Sequence, residues 1–242
     1  MKRIVIITGA SRGIGRACAL YFGRRKDCVA AVGFRHPEAL SEVCEAVREA
    51  GGEACAILED LAQPGAAERV LRACEERFGA PDILVSNAGV SAVRLFQDGT
   101  DEATGALLET NLTSAIRMAR AAVKRMLPRH EGRILFVSSV FGITGASMEA
   151  EYAASKGALN ALAKSLAKEL APSGIAVNAL APGAIDTDMN ACLSEEDRAL
   201  LEEEIPFGRM GTPEEAAEMA GLILDAPLYL TGAVIPFDGA WT

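Results

Sequence analysis

Short apolar runs alternate along this chain with longer segments in which apolar residues recur every three or four positions. The runs fall at 4–7, 29–33, 54–58, 83–85, 134–137, 175–180 and 234–237. Runs this short, without polar alternation, read as strands buried on both faces, and the helical-period segments between them read as crossovers. The pattern predicts an α/β fold: a doubly wound parallel sheet of about seven strands, helices on both faces, in a single domain over 1–242. A stripe of Leu159, Leu162, Leu166 and Leu170, with Lys164 and Lys168 off it, is core or subunit interface. The least regular stretch, 183–212, reads as a substrate loop, and its acidic clusters (Glu195, Glu196, Asp197; Glu202, Glu203, Glu204) read as a solvated face.

The first run leads into Thr8-Gly9-Ala10-Ser11-Arg12-Gly13-Ile14-Gly15 and then a helical pattern. Strand, glycine turn and helix form an anion cradle, because glycines admit close approach of a pyrophosphate and the helix N-terminus offers unpaired N–H groups. The spacing differs from the common dinucleotide fingerprint, and any α/β protein needs tight turns here. Further on, Tyr152 and Lys156 stand one helical turn apart, so a phenol and an ammonium share a face. A nearby cation favours phenolate, which predicts a Tyr152 of lowered pKa able to move a proton; the bland alternative is a solvated surface pair.

Composition narrows the class. With a net charge of −9, nucleic acid and anionic membrane are excluded as main partners, since both reward clustered positive charge. No apolar run reaches membrane-spanning length and no signal-peptide pattern opens the sequence, so a cytoplasmic protein is expected. Six cysteines, at 18, 28, 44, 55, 74 and 192, lack close pairing and read as reduced packing residues. His36 and His130 lack ligand spacing and read as surface loop residues; no metal site is expected.

Six motifs in order then carry a resemblance. They are the glycine turn, Asp60 after the third run, Asn87-Ala88-Gly89, Asn111 within a central helix, Ser139 with Tyr152 and Lys156, and Pro182-Gly183 followed by Thr187. Together they resemble the classical short-chain dehydrogenase/reductase family, whose fold is Rossmann-like. Segments such as Tyr152-Ala153-Ala154-Ser155-Lys156 and Gly208-Arg209-Met210-Gly211-Thr212-Pro213 are most similar to its 3-oxoacyl-[acyl-carrier-protein] reductases.

The resemblance implies NADPH-dependent reduction of a ketone, with Tyr152 as general acid, Ser139 holding the carbonyl oxygen, Lys156 on the nicotinamide ribose and Asn111 anchoring a proton-carrying water. Gly9, Ser11, Arg12, Gly13, Ile14 and Gly15 would cradle the dinucleotide. Asp60 and Leu61 would flank adenine, Asn87, Ala88 and Gly89 would lie along the ribose, and Pro182, Gly183, Ile185 and Thr187 would sit near the carboxamide. The second run ends Gly33-Phe34-Arg35-His36 without an acid, so Arg35 with Arg12 favours NADP(H) over NAD(H), unless Arg35 is simply solvated. A carrier partner is expected to meet Lys124, Arg125, Arg129 and Arg133, although Ser173 stands where these reductases commonly have a basic residue. Trp241 is read as filling a subunit interface or a pocket wall, and a homotetramer is expected. A reductase or dehydrogenase of another small carbonyl, alcohol or sugar is the alternative; a non-catalytic dinucleotide-binding regulator would not need Asn111, Ser139, Tyr152 and Lys156 together.

Overall fold

The structure, a computed structural model, describes residues 2–190 and 193–242. Each of the seven apolar runs is a strand: β1 (Ile4–Thr8), β2 (Cys28–Gly33), β3 (Glu53–Leu58), β4 (Ile83–Ser86), β5 (Gly132–Val137), β6 (Ile175–Pro182) and β7 (Val234–Phe237). They form one sheet in the order β3-β2-β1-β4-β5-β6-β7, with every pairing parallel. Ile6 of β1 is paired with Ala30 on one side and Leu84 on the other. The order reverses between β1 and β4, where open sheets of this kind leave a crevice beyond the carboxyl ends of the strands.

The helices are α1 (Gly13–Arg24), α2 (Pro37–Glu49), α3 (Ala66–Arg77), α4 (Asp101–Leu108), α5 (Ser114–Met126), α6 (Phe141–Thr144), α7 (Ala150–Leu170), α8 (Glu195–Glu204) and α9 (Pro213–Asp225). Successive strand residues face opposite sides, so β1 sends Val5 and Ile7 into a core with α1, α2 and α9, while Ile6 enters a second core with α3, α5 and α7. The leucine stripe of α7 is divided accordingly: Leu159 and Leu170 are buried in the second core, and Leu162 and Leu166 pack at its margin.

Two local features depart from the sequence pattern. Asn111 lies in a π-helical turn, Glu109–Thr113, between α4 and α5 rather than within a regular helix. Within 183–212, expected to be irregular, Ser194 caps α8 by accepting a hydrogen bond from the Asp197 amide, and the acidic residues form that helix. The stretch is closed at its base by a bridge between Ile185 and Gly211 and by the Asp186–Arg198 ion pair at 2.8 Å.

The five described cysteines are free, and burial pushes the thiols of Cys18 and Cys74 up to about 12, as suits packing residues. Cys192 lies outside the described residues. Among the described residues no group of acids, histidines and cysteines is placed to hold a metal, and no helix is long and apolar enough to cross a membrane.

Candidate active site

A cleft of about 480 Å³ opens beyond the carboxyl ends of β1, β2, β4, β5 and β6. Its floor is the glycine turn. Gly9 has φ +66° and Gly13 φ +53°, conformations that a side chain resists, and a Cβ at Gly9 would stand 3.0 Å from the Ala88 backbone. Thr8 fastens this turn to the one after β4: its hydroxyl accepts from the amides of Asn87 at 2.9 Å and Ala88 at 3.0 Å, and Asn87 Nδ2 donates to the Thr8 carbonyl at 3.0 Å. Gly9, Ser11, Arg12, Gly13, Ile14, Asn87, Ala88 and Gly89 line the cleft. Gly15 does not; its side is closed by the Gly9 carbonyl and Asn87, where no Cβ fits.

At the cleft's far end stand Phe34, Arg35 and His36 with Asp60. Asp60 is held by its own turn, accepting from the Ala62 amide at 3.1 Å and Gln63 Nε2 at 3.2 Å. Leu61, expected beside it, instead packs on the core, and Ala62 lines the cleft in its place. Among the described residues Arg35 makes no ion pair, while Arg12 meets only Asp188, at 3.7 Å with both side chains mostly exposed.

The opposite end holds the buried polar groups. Ser139, Tyr152 and Lys156 are each less than 10% exposed, and Asn111 is fully buried. The two serines at the end of β5 divide as strand alternation requires. Ser138 Oγ donates to the Lys156 carbonyl at 3.0 Å, whereas Ser139 Oγ accepts from the Phe141 amide at 3.2 Å and is hydrogen-bonded to the Tyr152 hydroxyl. Lys156 Nζ lies 5.6 Å from the centre of the Tyr152 ring and donates to the Val137 carbonyl at 2.9 Å.

The electrostatics differ from the expectation of a lowered Tyr152 pKa. Burial pushes the phenol up to about 12; the Ser139 hydrogen bond opposes this and the Glu149 carboxylate adds to it. Burial also brings the Lys156 ammonium down to about 8. The shared helix face thus brings the pair together without creating a phenolate, because desolvation outweighs the Ser139 hydrogen bond. Asn111 does not line the cleft. Its side chain pins Val90, donating to the carbonyl and accepting from the amide, both at 2.8 Å, and also donates to Ser155 Oγ at 3.1 Å. Gly89 fits beneath: a Cβ there would lie 3.3 Å from Asn111 Oδ1 and 3.4 Å from Lys156 Nζ.

Pro182, Gly183, Ile185 and Thr187 line the wall that leads into the 183–212 stretch, together with Met189 and Asn190. Trp241 packs on Phe141, ring centres 5.4 Å apart, so it lies behind this wall. His36, read from sequence as a plain loop residue, lines the cleft at the start of α2. Its only signal in the sequence was adjacency to Arg35.

The basic set proposed to meet a carrier is placed otherwise. Lys124 and Arg125 pair with Glu68 and Glu75 of α3, Arg129 pairs with Asp82 at 2.6 Å, and Arg133 donates to the Ala226 carbonyl at 2.8 Å. Within the chain these side chains lie toward the amino ends of the strands, opposite the cleft, and the charges of Lys124, Arg125 and Arg129 are matched locally.

A profile of the short chain dehydrogenase family matches residues 3–198. The 3-oxoacyl-[acyl-carrier-protein] reductase FabG of Escherichia coli is 37% identical over 240 residues, covering 98% of this chain and 96% of that protein. FabG of Pseudomonas aeruginosa is 35% identical over 238 residues, with the same coverage of both. A solved short-chain type dehydrogenase/reductase from Mycobacterium marinum superposes with a TM-score of 0.93 at 35% identity, covering 99% of this chain and 95% of that one. With the glycine turn, the parallel sheet and the buried Ser139, Tyr152 and Lys156 cluster in one cleft, the chain belongs to the short-chain dehydrogenase/reductase family.

Proposed function

We propose that this protein reduces the ketone of a 3-oxoacyl thioester to the secondary alcohol, drawing on NADPH. The observation that carries the reading is the Tyr152 hydroxyl, buried, hydrogen-bonded to Ser139 and facing the cleft beside Lys156. The dinucleotide, when bound, supplies hydride to the carbonyl carbon. A phenol pushed up to about 12 keeps its proton at neutral pH, which suits donation to the carbonyl oxygen as negative charge gathers there. Ser139 steadies that oxygen by a second hydrogen bond. Lys156, buried without a carboxylate partner among the described residues, is suited to the ribose hydroxyls. Asn111 would feed protons from solvent through a water held at its turn.

The cleft fits a dinucleotide: glycine backbone at its floor, Asp60 and Ala62 at one end, and the buried polar cluster at the other. Arg35 and Arg12 support NADP(H) over NAD(H), because both are available to a 2′-phosphate. The resemblance of the whole chain to proteins named 3-oxoacyl-[acyl-carrier-protein] reductase supports an acyl carrier partner, a place in fatty acid biosynthesis, a cytoplasmic homotetramer built on α5 and α7, and the 183–212 stretch as the substrate loop. NADPH oxidation measured with carrier-bound, coenzyme-A-bound and free 3-oxo substrates tests the substrate reading; preference for a free alcohol, sugar or unrelated ketone would replace it. Arg35→Ala tests the cofactor reading. A charged hydrogen bond contributes about 1.5–3 kcal/mol, so the variant should lose roughly tenfold to a hundredfold in NADP affinity and little in NAD affinity.

A further inference from the structure

Tyr152 is the third residue of α7, inside the one turn of a helix whose amides have no intrahelical acceptor. Such turns are ordinarily held by a side-chain cap. Glu149, at the cap position, makes no such bond. The first intrahelical bond recorded there is from the Ala153 amide to the Glu149 carbonyl, at 2.8 Å. The proton donor therefore stands in a first turn that has no side-chain cap of its own.

The hold comes from the segment that follows β4. Val90 is fixed by Asn111 at one end of that segment. Next, Ser91 Oγ donates to Glu149 Oε2 at 2.6 Å, and the Arg94 amide donates to the Met148 carbonyl at 2.8 Å. The Arg94 guanidinium then pairs with Glu151, the residue preceding Tyr152, and Thr104 of α4 donates to the same carboxylate. Both members of the pair are largely buried, at 22% and 16% side-chain exposure. The Thr104 bond and the Arg94 pair together hold the Glu151 carboxyl below its usual range. Arg94 Nε is buried without a hydrogen-bond partner, a cost that a mere surface contact would avoid by turning to solvent. Gly99 clears the space, since a Cβ there would stand 3.1 Å from Glu151 Oε1 and 3.4 Å from Arg94 Nε.

We propose that Arg94 is a positioning residue for Tyr152, acting through Glu151 and assisted by the Ser91–Glu149 bond to fix where the first turn of α7 lies. The proposal rests on the reading of Tyr152 as the proton donor. The groups facing that turn are Ser139 from the end of β5, Lys156 and Glu149 from α7 itself, and Arg94 with Ser91 from the segment after β4. With Thr104 of α4, which donates to Glu151, Arg94 and Ser91 bind the turn without touching the reacting groups.

The test compares wild type, Arg94→Gln, Arg94→Lys, Ser91→Ala and Tyr152→Phe, each mixed with NADPH and acetoacetyl-coenzyme A in single turnovers. Dinucleotide affinity is measured separately by titration, and folding by thermal melts. Small displacements of a reacting group cost up to about a hundredfold in rate, so Arg94→Gln should lose roughly tenfold to a hundredfold in reduction rate with unchanged dinucleotide affinity. Arg94→Lys, which keeps the charge, should recover most of it. Loosening the turn also admits water to a phenol whose pKa is raised mainly by burial, so the alkaline fall of the rate should move to lower pH in Arg94→Gln and, by less, in Ser91→Ala. An unchanged rate and pH profile in both variants overturns the proposal, as does a rate that falls only in proportion to folded protein and dinucleotide affinity. If Arg94→Gln does not fold, Ser91→Ala decides by the same pH readout. Full activity in Tyr152→Phe would instead remove the underlying reading, whereas a dead Tyr152→Phe beside a normal Arg94→Gln removes the positioning proposal alone.

Discussion

The amino ends of the sheet and the buried cluster in the cleft treat charge in opposite ways. At the amino ends, charges meet their counterparts: Arg3 binds Asp27 at 2.7 Å and also Asp225, Arg25 binds Asp225 at 2.9 Å, Lys2 binds Glu53 at 2.9 Å, and Arg129 binds Asp82 at 2.6 Å. At the carboxyl ends, Lys156 is buried against a backbone carbonyl, Tyr152 is buried against a serine hydroxyl, and Arg35 stands open to the cleft. The first arrangement fastens segments distant in sequence to one another. The second leaves donors and charges available to something the chain does not itself contain, and desolvation shows its cost in the shifted pKa values of Tyr152 and Lys156. Substitutions at the two ends should therefore separate function from stability.

The largest effect belongs to the carboxyl end. Tyr152→Phe keeps the buried ring and removes the transferable proton, so ketone reduction should fall by about 10²- to 10⁴-fold, the range of general acid catalysis. Stability and dinucleotide affinity should stay close to wild type. A variant that retains a tenth of the wild-type rate would mean that another group supplies the proton.

The amino end should behave in reverse. Asp27 is only 5% exposed and receives the Arg3 guanidinium and the Arg3 amide together, while the same guanidinium lies over the Phe22 ring at 5.5 Å. Arg3→Ala leaves a buried carboxylate without its cation, which ordinarily costs about 3–5 kcal/mol for a fully buried pair. Partial exposure of Arg3 reduces this to about 2 kcal/mol. Urea melts should show the loss and steady-state kinetics should not. Altered kinetics at equal fractions of folded protein would break the comparison.

The contrast between the ends also explains how much could be read from the chain. The seven strands were legible because each is a short apolar run between turn residues, and a strand buried on both faces has no other composition available. Residues close in sequence, such as Tyr152 and Lys156, announced their proximity through helical spacing. Pairings over long separations did not: Arg94 and Glu151 are 57 residues apart, and nothing local in either segment names the other. The same blindness made Lys124 and Arg125 look like a free positive surface, when the acids that match them belong to α3, some fifty residues earlier. The acidic residues of 195–204, lacking an apolar stripe, hid α8, a helix that Ser194 nevertheless caps.

The last prediction sets stability directly against function at one atom. The fall of the Lys156 pKa from 10.5 to about 8 corresponds to roughly 3 kcal/mol of unfavourable burial, at about 1.4 kcal/mol per pH unit. Below pH 8 the ammonium remains charged in the folded chain and the whole penalty is present. Between 8 and 10.5 the unfolded chain holds the proton that the folded chain has released, so stability rises with pH through that window. Lys156→Met removes the penalty and also the hydrogen bond to Val137, worth about 1 kcal/mol. Without dinucleotide at pH 7, the variant should therefore be more stable than wild type by about 1–2 kcal/mol, and its advantage should shrink as the pH is raised from 8 toward 10. It should at the same time lose dinucleotide affinity and turnover. A variant less stable than wild type at pH 7 would mean that the Val137 bond outweighs the desolvation of the ammonium, and that the buried charge belongs with the self-satisfied end of the sheet rather than with the cleft.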